Sequence, residues 1–351
     1  MPTTYAIPDG RVAMAATTYT GTNTTLPVSN AVNGVGFQPD WVWVKNRTTA
    51  AAHMLQDSVR GATAYINSNT TSAENTNTAS NWFRSFDTSG FTVSNLTTGG
   101  ANTIEWNNSG YNYVAWQWKA GGTAVSNAAG SITSSVSANT TAGFSVVTYT
   151  GTGANATVGH GLGVAPSMII VKRRDTTANW EVRHTSIAVA SSIQLNLTNA
   201  SASATTVWNS TAPSSTVFSI GTSATVNASS GTYVAYCFSA VAGYSVFGSY
   251  TGNGSTDGPF IYTGFRPRYF MFKRSDGGGG DWVILDSSRS PYNQGAAYLY
   301  ANAANAEATN AYQFDFLSNG IKMRDAANLP SGATYIYMAF AEVPFAYANA
   351  R

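Results

Sequence analysis

Trp41-Val42-Trp43-Val44-Lys45, beginning two residues after Pro39, decides the fold, because the pattern occurs three times. Pro166 precedes Met168-Ile169-Ile170-Val171-Lys172, and Pro267 precedes Phe270-Met271-Phe272-Lys273. Runs of β-branched and aromatic residues like these read as buried strands. They end on three of the chain's five lysines. Upstream of each stands Tyr-Thr-Gly, at Tyr19, Tyr149 and Tyr250. Downstream, an apolar strand closes each unit: Tyr113-Val114-Ala115-Trp116-Gln117-Trp118, Tyr233-Val234-Ala235-Tyr236-Cys237-Phe238 and Tyr337-Met338-Ala339-Phe340-Ala341. Side chains alternate along a strand, so Ala115, Ala235 and Ala339 share one face while Trp116, Tyr236 and Phe340 share the other. The small face can lie close to a facing sheet, and the aromatic face fills a layer.

The expectation is therefore an all-β chain of three tandem lobes. With ten Leu, five Glu and five Lys in 351 residues, helix formers are too scarce for another class. Lobes of about 100 residues suit antiparallel β-sandwiches or jelly rolls better than propeller blades. The boundaries read as lobe one over 1–121, a Gly/Ser/Ala/Asn-rich linker over 122–142, lobe two over 143–242 and lobe three over 243–351. The first linker looks loose and the second junction almost absent, so lobe one is expected to pivot and the other two to pack rigidly.

Charged residues make up 10% of the chain and the net charge is +2, a scattering of cations that forms no patch for nucleic acid. A single cysteine, Cys237, leaves no internal disulfide framework, and no run of about 18 apolar residues marks a membrane span. Assembly in a reducing cytoplasm is the expectation. His53, His160 and His184 fall at unmatched places without metal-ligand spacing, so no metal and no cofactor are implied.

The acid/base groups that recur are Asp57, Arg60 and Glu74 in lobe one and Asp286, Arg289 and Glu307 in lobe three. Present in two lobes, they read as structural ion pairs that tie a loop to a sheet rather than as catalytic groups. Lobe two has Trp180-Glu181-Val182-Arg183-His184 in their place. Two acids flanking Gly277-Gly278-Gly279-Gly280 raise a calcium loop, but a hairpin tip explains the glycines better. Trp82, Trp106, Trp208 and Tyr292 lie in polar stretches, where they could stack on sugars, fill an interface or cap the sandwich ends. Trp41, Trp43, Trp116 and Trp118, within strands, read as core or subunit interface.

Taken in order, Pro39-x-Trp41-Val42-x-Val44-Lys45, Asp57-Ser58-x-Arg60-Gly61, Ala73-Glu74, Ser89-Gly90-Phe91 and Tyr113-Val114-Ala115-Trp116-x-Trp118-Lys119 resemble a β-rich module of virion and tail structural proteins of tailed bacteriophages, marine phages among them. The ending Tyr335 to Phe345 is similar to the way those proteins finish. The resemblance spans nearly the whole chain and carries no catalytic residues. It implies a non-enzymatic virion component, in a tail fibre, tail tip, or capsid-attached fibre or decoration. The partners implied are other virion proteins, further copies of itself in a homotrimer, and a host-surface glycan. The alternative from the loop aromatics is a lectin-like receptor-recognition protein; the least favoured is a polysaccharide-cleaving enzyme, which needs two carboxylates in a groove.

Overall fold

The computed structural model describes residues 5–76, 82–94 and 104–344. Phe345, the last residue of the closing motif, lies outside them. Each lobe is built on a large antiparallel sheet with one spatial order: an opening strand, the closing strand, the lysine strand and a turn strand. These are Met14–Thr20, Asn112–Trp118, Trp41–Asn46 and Met54–Asp57 in lobe one. In lobe two they are Phe144–Thr150, Thr232–Phe238, Met168–Arg173 and Glu181–His184, and in lobe three Ser245–Thr251, Thr334–Pro344, Phe265–Arg274 and Val283–Asp286. Register is shared as well as order. Tyr19 stands opposite Tyr113, Tyr149 opposite Tyr233 and Tyr250 opposite Tyr335, with ring centroids 5.0 Å apart in every case. Among the described residues helix is confined to single turns such as Thr205–Trp208, and the fold is all-β.

A smaller antiparallel sheet covers the small-residue face of each large one and makes a sandwich. In lobe one Val28, Phe83, Phe91 and Val93 of the small sheet pack with Val42, Val44 and Ala115 of the large sheet. In lobe two Val158, Phe218 and Ile220 meet Ile169, Val171, Ala235 and Cys237. Alternation sends the bulky side chains the other way, out of the sandwich, where they would form a large exposed apolar surface if each lobe stood alone.

That surface is buried because the three aromatic faces meet. Trp41, Trp43, Trp116 and Trp118 of lobe one join Met168, Ile170, Tyr236 and Phe238 of lobe two and Tyr269, Met271 and Phe340 of lobe three in one core. Trp41 stacks on Tyr236 at 4.3 Å. Trp118, Phe238 and Phe340, one from each lobe, approach pairwise at 5.8, 5.9 and 6.3 Å, all edge to face, the arrangement that aligns ring edges with ring faces. Sandwich cores and central core together leave the four strand tryptophans at most 1% exposed.

Two expectations change here. The stretch 122–142 is not a loose linker: Val125–Asn127 and Ser134–Asn139 lie in it and add to the open edge of Phe144–Thr150. Small and β-branched residues in alternation suit an edge strand, and low complexity does not prevent pairing. Lobe one therefore has no hinge there. The carboxylate of Asp40 also accepts the N–H groups of Ala120 at 2.7 Å and Gly122 at 3.3 Å, fixing the chain as it leaves the lobe.

Candidate functional site

The recurring charged residues gather where one lobe meets the next. In lobe one the turn after the turn strand brings Arg60 back onto Asp57, with Nε donating to the carboxylate at 2.5 Å and the backbone N–H at 2.8 Å. Arg60 Nη1 reaches Glu74 at 2.9 Å. Lobe two completes the group: Arg174 forks onto Glu74 at 2.8 and 2.9 Å, and the Tyr236 hydroxyl donates to Asp57 at 2.8 Å. The side chains of Asp57 and Arg60 are fully buried. Burial disfavours the Arg60 cation, but Asp57 and Glu74 outweigh it and hold its pKa above the ordinary arginine value. Burial likewise opposes the Glu74 carboxylate, yet Arg174 and Arg60 keep it below its usual range.

Between lobes three and one the same constellation appears. Arg289 binds Asp286 at 2.5 Å and Glu307 at 3.1 Å, Arg47 of lobe one forks onto Glu307 at 2.7 and 2.8 Å, and Trp116 Nε1 donates to Asp286 at 3.0 Å. Trp116 thus does for Asp286 what Tyr236 does for Asp57.

The third seam, between lobes two and three, replaces every member of the set at once. Register places His184 opposite Met168 as Asp57 is opposite Trp41 and Asp286 opposite Tyr269. Ile187 takes the arginine's place. Ser201 and Ser275 stand for the glutamate and the second arginine, joined backbone to backbone at 3.0 Å as Glu74 is to Arg174 at 2.8 Å and Glu307 to Arg47 at 2.9 Å. Met338, without a donor, fills the position of Tyr236 and Trp116: pairing sets Tyr335, not Tyr337, level with Tyr113 and Tyr233, so Phe340 corresponds to Trp118 and Phe238, two residues on from the alignment expected of the sequence motifs. His184 accepts the Ser186 N–H on Nδ1 at 3.1 Å and donates Nε2 to the Tyr337 carbonyl at 3.0 Å. A buried carboxylate facing Met338 would lack that donor, and the neutral imidazole removes the need for one. Loss of the Asp-Ser-x-Arg element in lobe two is therefore a compensated change of seam chemistry.

The repeated lysines tie the same seams. Lys45 Nζ donates to Ala304 O at 3.1 Å, Lys172 Nζ to Thr71 O at 3.0 Å and Lys273 Nζ to Thr198 O at 2.7 Å, each carbonyl belonging to a neighbouring lobe. The direction is cyclic, one to three, two to one, three to two. All three are buried, and burial pulls each pKa down to about 8. The residues just before the turn strands act in parallel: Trp180 Nε1 donates to Asn67 O at 3.0 Å, Trp282 Nε1 to Gln194 O at 2.8 Å, and His53 Nε2 to Tyr300 O at 2.9 Å. His53 is a tryptophan substitute, its Nδ1 accepting from Trp43 Nε1 at 2.8 Å. His160 has its Nδ1 3.2 Å from the Leu162 N–H and its Nε2 3.2 Å from the Ser214 carbonyl, within its own lobe.

The aromatic candidates separate. Trp106 and Trp208 are 0% and 1% exposed and pack inside the sandwiches of lobes one and two, so neither can stack on a sugar. Polar neighbours in sequence hid this, because a loop folded over the end of a sandwich buries its aromatic without any strand periodicity. Trp82 is half-buried beside Tyr65 at 6.2 Å, whereas Tyr292 is 80% exposed. The segment Ser275 to Asp281 links the lysine strand of lobe three to its turn strand, with Asp276 bound to Arg274 and Thr334 and Asp281 to Asn302. Among the described residues no three His, Cys, Asp or Glu side chains are grouped to hold a metal ion, and no helix is long and apolar enough to cross a membrane.

Sequence reasoning placed Arg60 and Arg289 with their acids but missed Arg47, Arg174, Tyr236 and Trp116. A signal was present. Arginine follows the repeated lysine by two residues in lobes one and two, and glutamate recurs in lobes three and one, the offset expected of pairs that cross between successive lobes. No curated protein matches the chain. A family model described as a domain of unknown function (DUF7483) matches residues 12–344, from the first opening strand to the end of the last closing strand, and the chain belongs to that family.

Proposed function

We propose that the chain is a non-enzymatic structural component of a bacteriophage virion, in a tail fibre, tail tip, or capsid-attached fibre or decoration. The single observation that carries this reading is where the titratable groups lie. Asp57, Arg60, Asp286, His53, His184 and the three repeated lysines are buried in seams and bonded to neighbouring lobes, and the buried Arg289 lies over the Trp116 ring of lobe one at 5.6 Å. Groups held this way lock three lobes into one body and are closed to substrate. The phage assignment itself rests on the motif resemblance of the sequence. The homotrimer remains part of the proposal on the resemblance and on the open strand edges, the strand tryptophans being covered within one chain; a solution mass near 36.9 kDa by light scattering would mark a monomer instead. Mass spectrometry of purified particles from a producing host tests the proposal: the chain is expected at a fixed copy number per particle, and its absence from the particles overturns the reading.

Of its four candidate aromatics the lectin-like alternative keeps Tyr292 exposed. Binding to host polysaccharide that Tyr292→Ala abolishes would favour it over a purely structural role.

A further inference from the structure

The opening strands of lobes one and two are equivalent in register but differ in what lies along their outer edge. In lobe two Ser134–Asn139 runs antiparallel to it, with Ser135 opposite Thr148, Val136 opposite Val147, Ser137 opposite Val146, Ala138 opposite Ser145 and Asn139 opposite Phe144. Aligned on Tyr19 and Tyr149, the corresponding residues of lobe one are Met14, Ala15, Ala16, Thr17 and Thr18. Those five residues line a cleft of about 340 Å³ whose other walls include Arg11 and, from lobe three, Arg268, Ser287, Ser288 and Pro291. The cleft is the slot of a missing strand.

Its backbone and its charge both ask for a partner. Lys119 N–H donates to Ala13 O toward the closing strand, whereas Ala16 O faces outward to Ser288 Oγ at 2.6 Å. By the same alternation the N–H and C=O of exposed Thr18 point outward. Arg268, 8% exposed, stands before Tyr269 as Asp40 stands before Trp41. Asp40 accepts two N–H groups of the segment that leads to the added strands of lobe two. Arg268 presents donors at the equivalent place and asks for an oxyanion instead. Its Nη1 donates to Ser288 Oγ at 3.0 Å and its Nη2 lies 3.7 Å from Glu342, a carboxylate already bonded to Arg266. Its Nε is buried with no hydrogen-bond partner among the described residues. Three guanidinium groups, Arg11, Arg266 and Arg268, share two carboxylates, Asp9 and Glu342. Burial holds the Arg268 pKa below the ordinary arginine value, as an undercompensated cation requires.

We infer that the cleft along Met14–Thr18 receives an extended peptide segment of a partner protein as an added antiparallel strand, with a carboxylate of that segment seated on Arg268. Main-chain pairing supplies affinity and the arginine supplies selectivity, as in other cases of strand addition to an open sheet edge. The inference is independent of the virion reading.

Fluorescently labelled peptides test it: a copy of residues 131–140 of this chain, and five versions that each carry one aspartate at positions 135 to 139. They are titrated against the full chain, Arg268→Met and Thr18→Pro. Proline with its nitrogen toward solvent is tolerated on an edge strand and removes the outward donor. At least one aspartate peptide is expected to bind about 10- to 100-fold more tightly than the unsubstituted copy, the range of one charge-assisted hydrogen bond. That gain should vanish in Arg268→Met, and Thr18→Pro should weaken every peptide about tenfold with an unchanged unfolding midpoint. Absence of peptide binding, or binding indifferent to Thr18→Pro, overturns the inference. Saturable galacturonate binding lost in Arg268→Met, with no peptide bound, overturns it in favour of a small anionic-sugar site.

Discussion

Replacing Arg60 by isoleucine should cost far more than replacing the whole seam around it. The single change leaves the Asp57 carboxylate, fully buried, without its cation, and removes donors to Glu74 at 2.9 Å and to Leu55 O at 3.1 Å. Stranding one partner of a buried ion pair costs about 3–5 kcal/mol. Now let Asp57→His, Glu74→Ser, Arg174→Ser and Tyr236→Met accompany Arg60→Ile, so that the seam between lobes one and two takes the residues found between lobes two and three. No buried charge is left unpaired, and the carbonyl of Ala235 stands where His184 finds that of Tyr337. Buried ion pairs exchanged together for apolar or neutral groups are often neutral in stability, so a loss within about 2 kcal/mol is expected, non-additive because the residues share one network. Guanidinium denaturation followed by tryptophan fluorescence gives both values, with circular dichroism confirming that the variants fold. A loss under about 1 kcal/mol for Arg60→Ile, or a larger loss for the five-residue exchange than for the single one, refutes the reasoning.

The seam lysines make a pH prediction. Burial sets Lys45, Lys172 and Lys273 near 8 against the ordinary lysine value of 10.5, so between those limits the unfolded chain binds more protons and stability rises with pH, by at most about 1.4 kcal/mol per pH unit per lysine. Tyrosines such as Tyr19 and Tyr236, which burial raises well above 10, act oppositely once the unfolded phenols ionise; the denaturation midpoint should therefore climb from pH 8 to a maximum near about pH 10, and a steady fall over that interval counts against the burial of the ammonium groups. Thermal unfolding should show one cooperative transition by all probes, because the lobes share a core; a lobe melting separately would contradict the interlocked seams. Cys237, fully buried with its thiol pKa raised by burial, should react with a thiol reagent only as fast as the native chain unfolds, and rapid labelling would place it outside the sandwich of lobe two.

The sequence alone determined the strands and their faces. Repeated runs such as Trp41 to Lys45 and Tyr113 to Trp118 carry a period of two, and period two names the face without knowledge of the partner. It also paired Arg60 with Asp57 and Arg289 with Asp286, since residues three apart in a turn meet whatever the fold around them. What only the tertiary structure decided is where the aromatic faces go and what the remaining charges do. Trp41 stacks on Tyr236, Arg174 reaches Glu74 and Lys45 reaches Ala304 across about 100 to 260 residues of chain. Such contacts follow from the cyclic closure of three sheets, which no local pattern encodes. Folding within single lobes buried Trp106 and Trp208 at the sandwich ends and turned the expected linker into an edge strand. Local preference settles which residues pair within a lobe; the packing of whole faces settles which lobe supplies the partner.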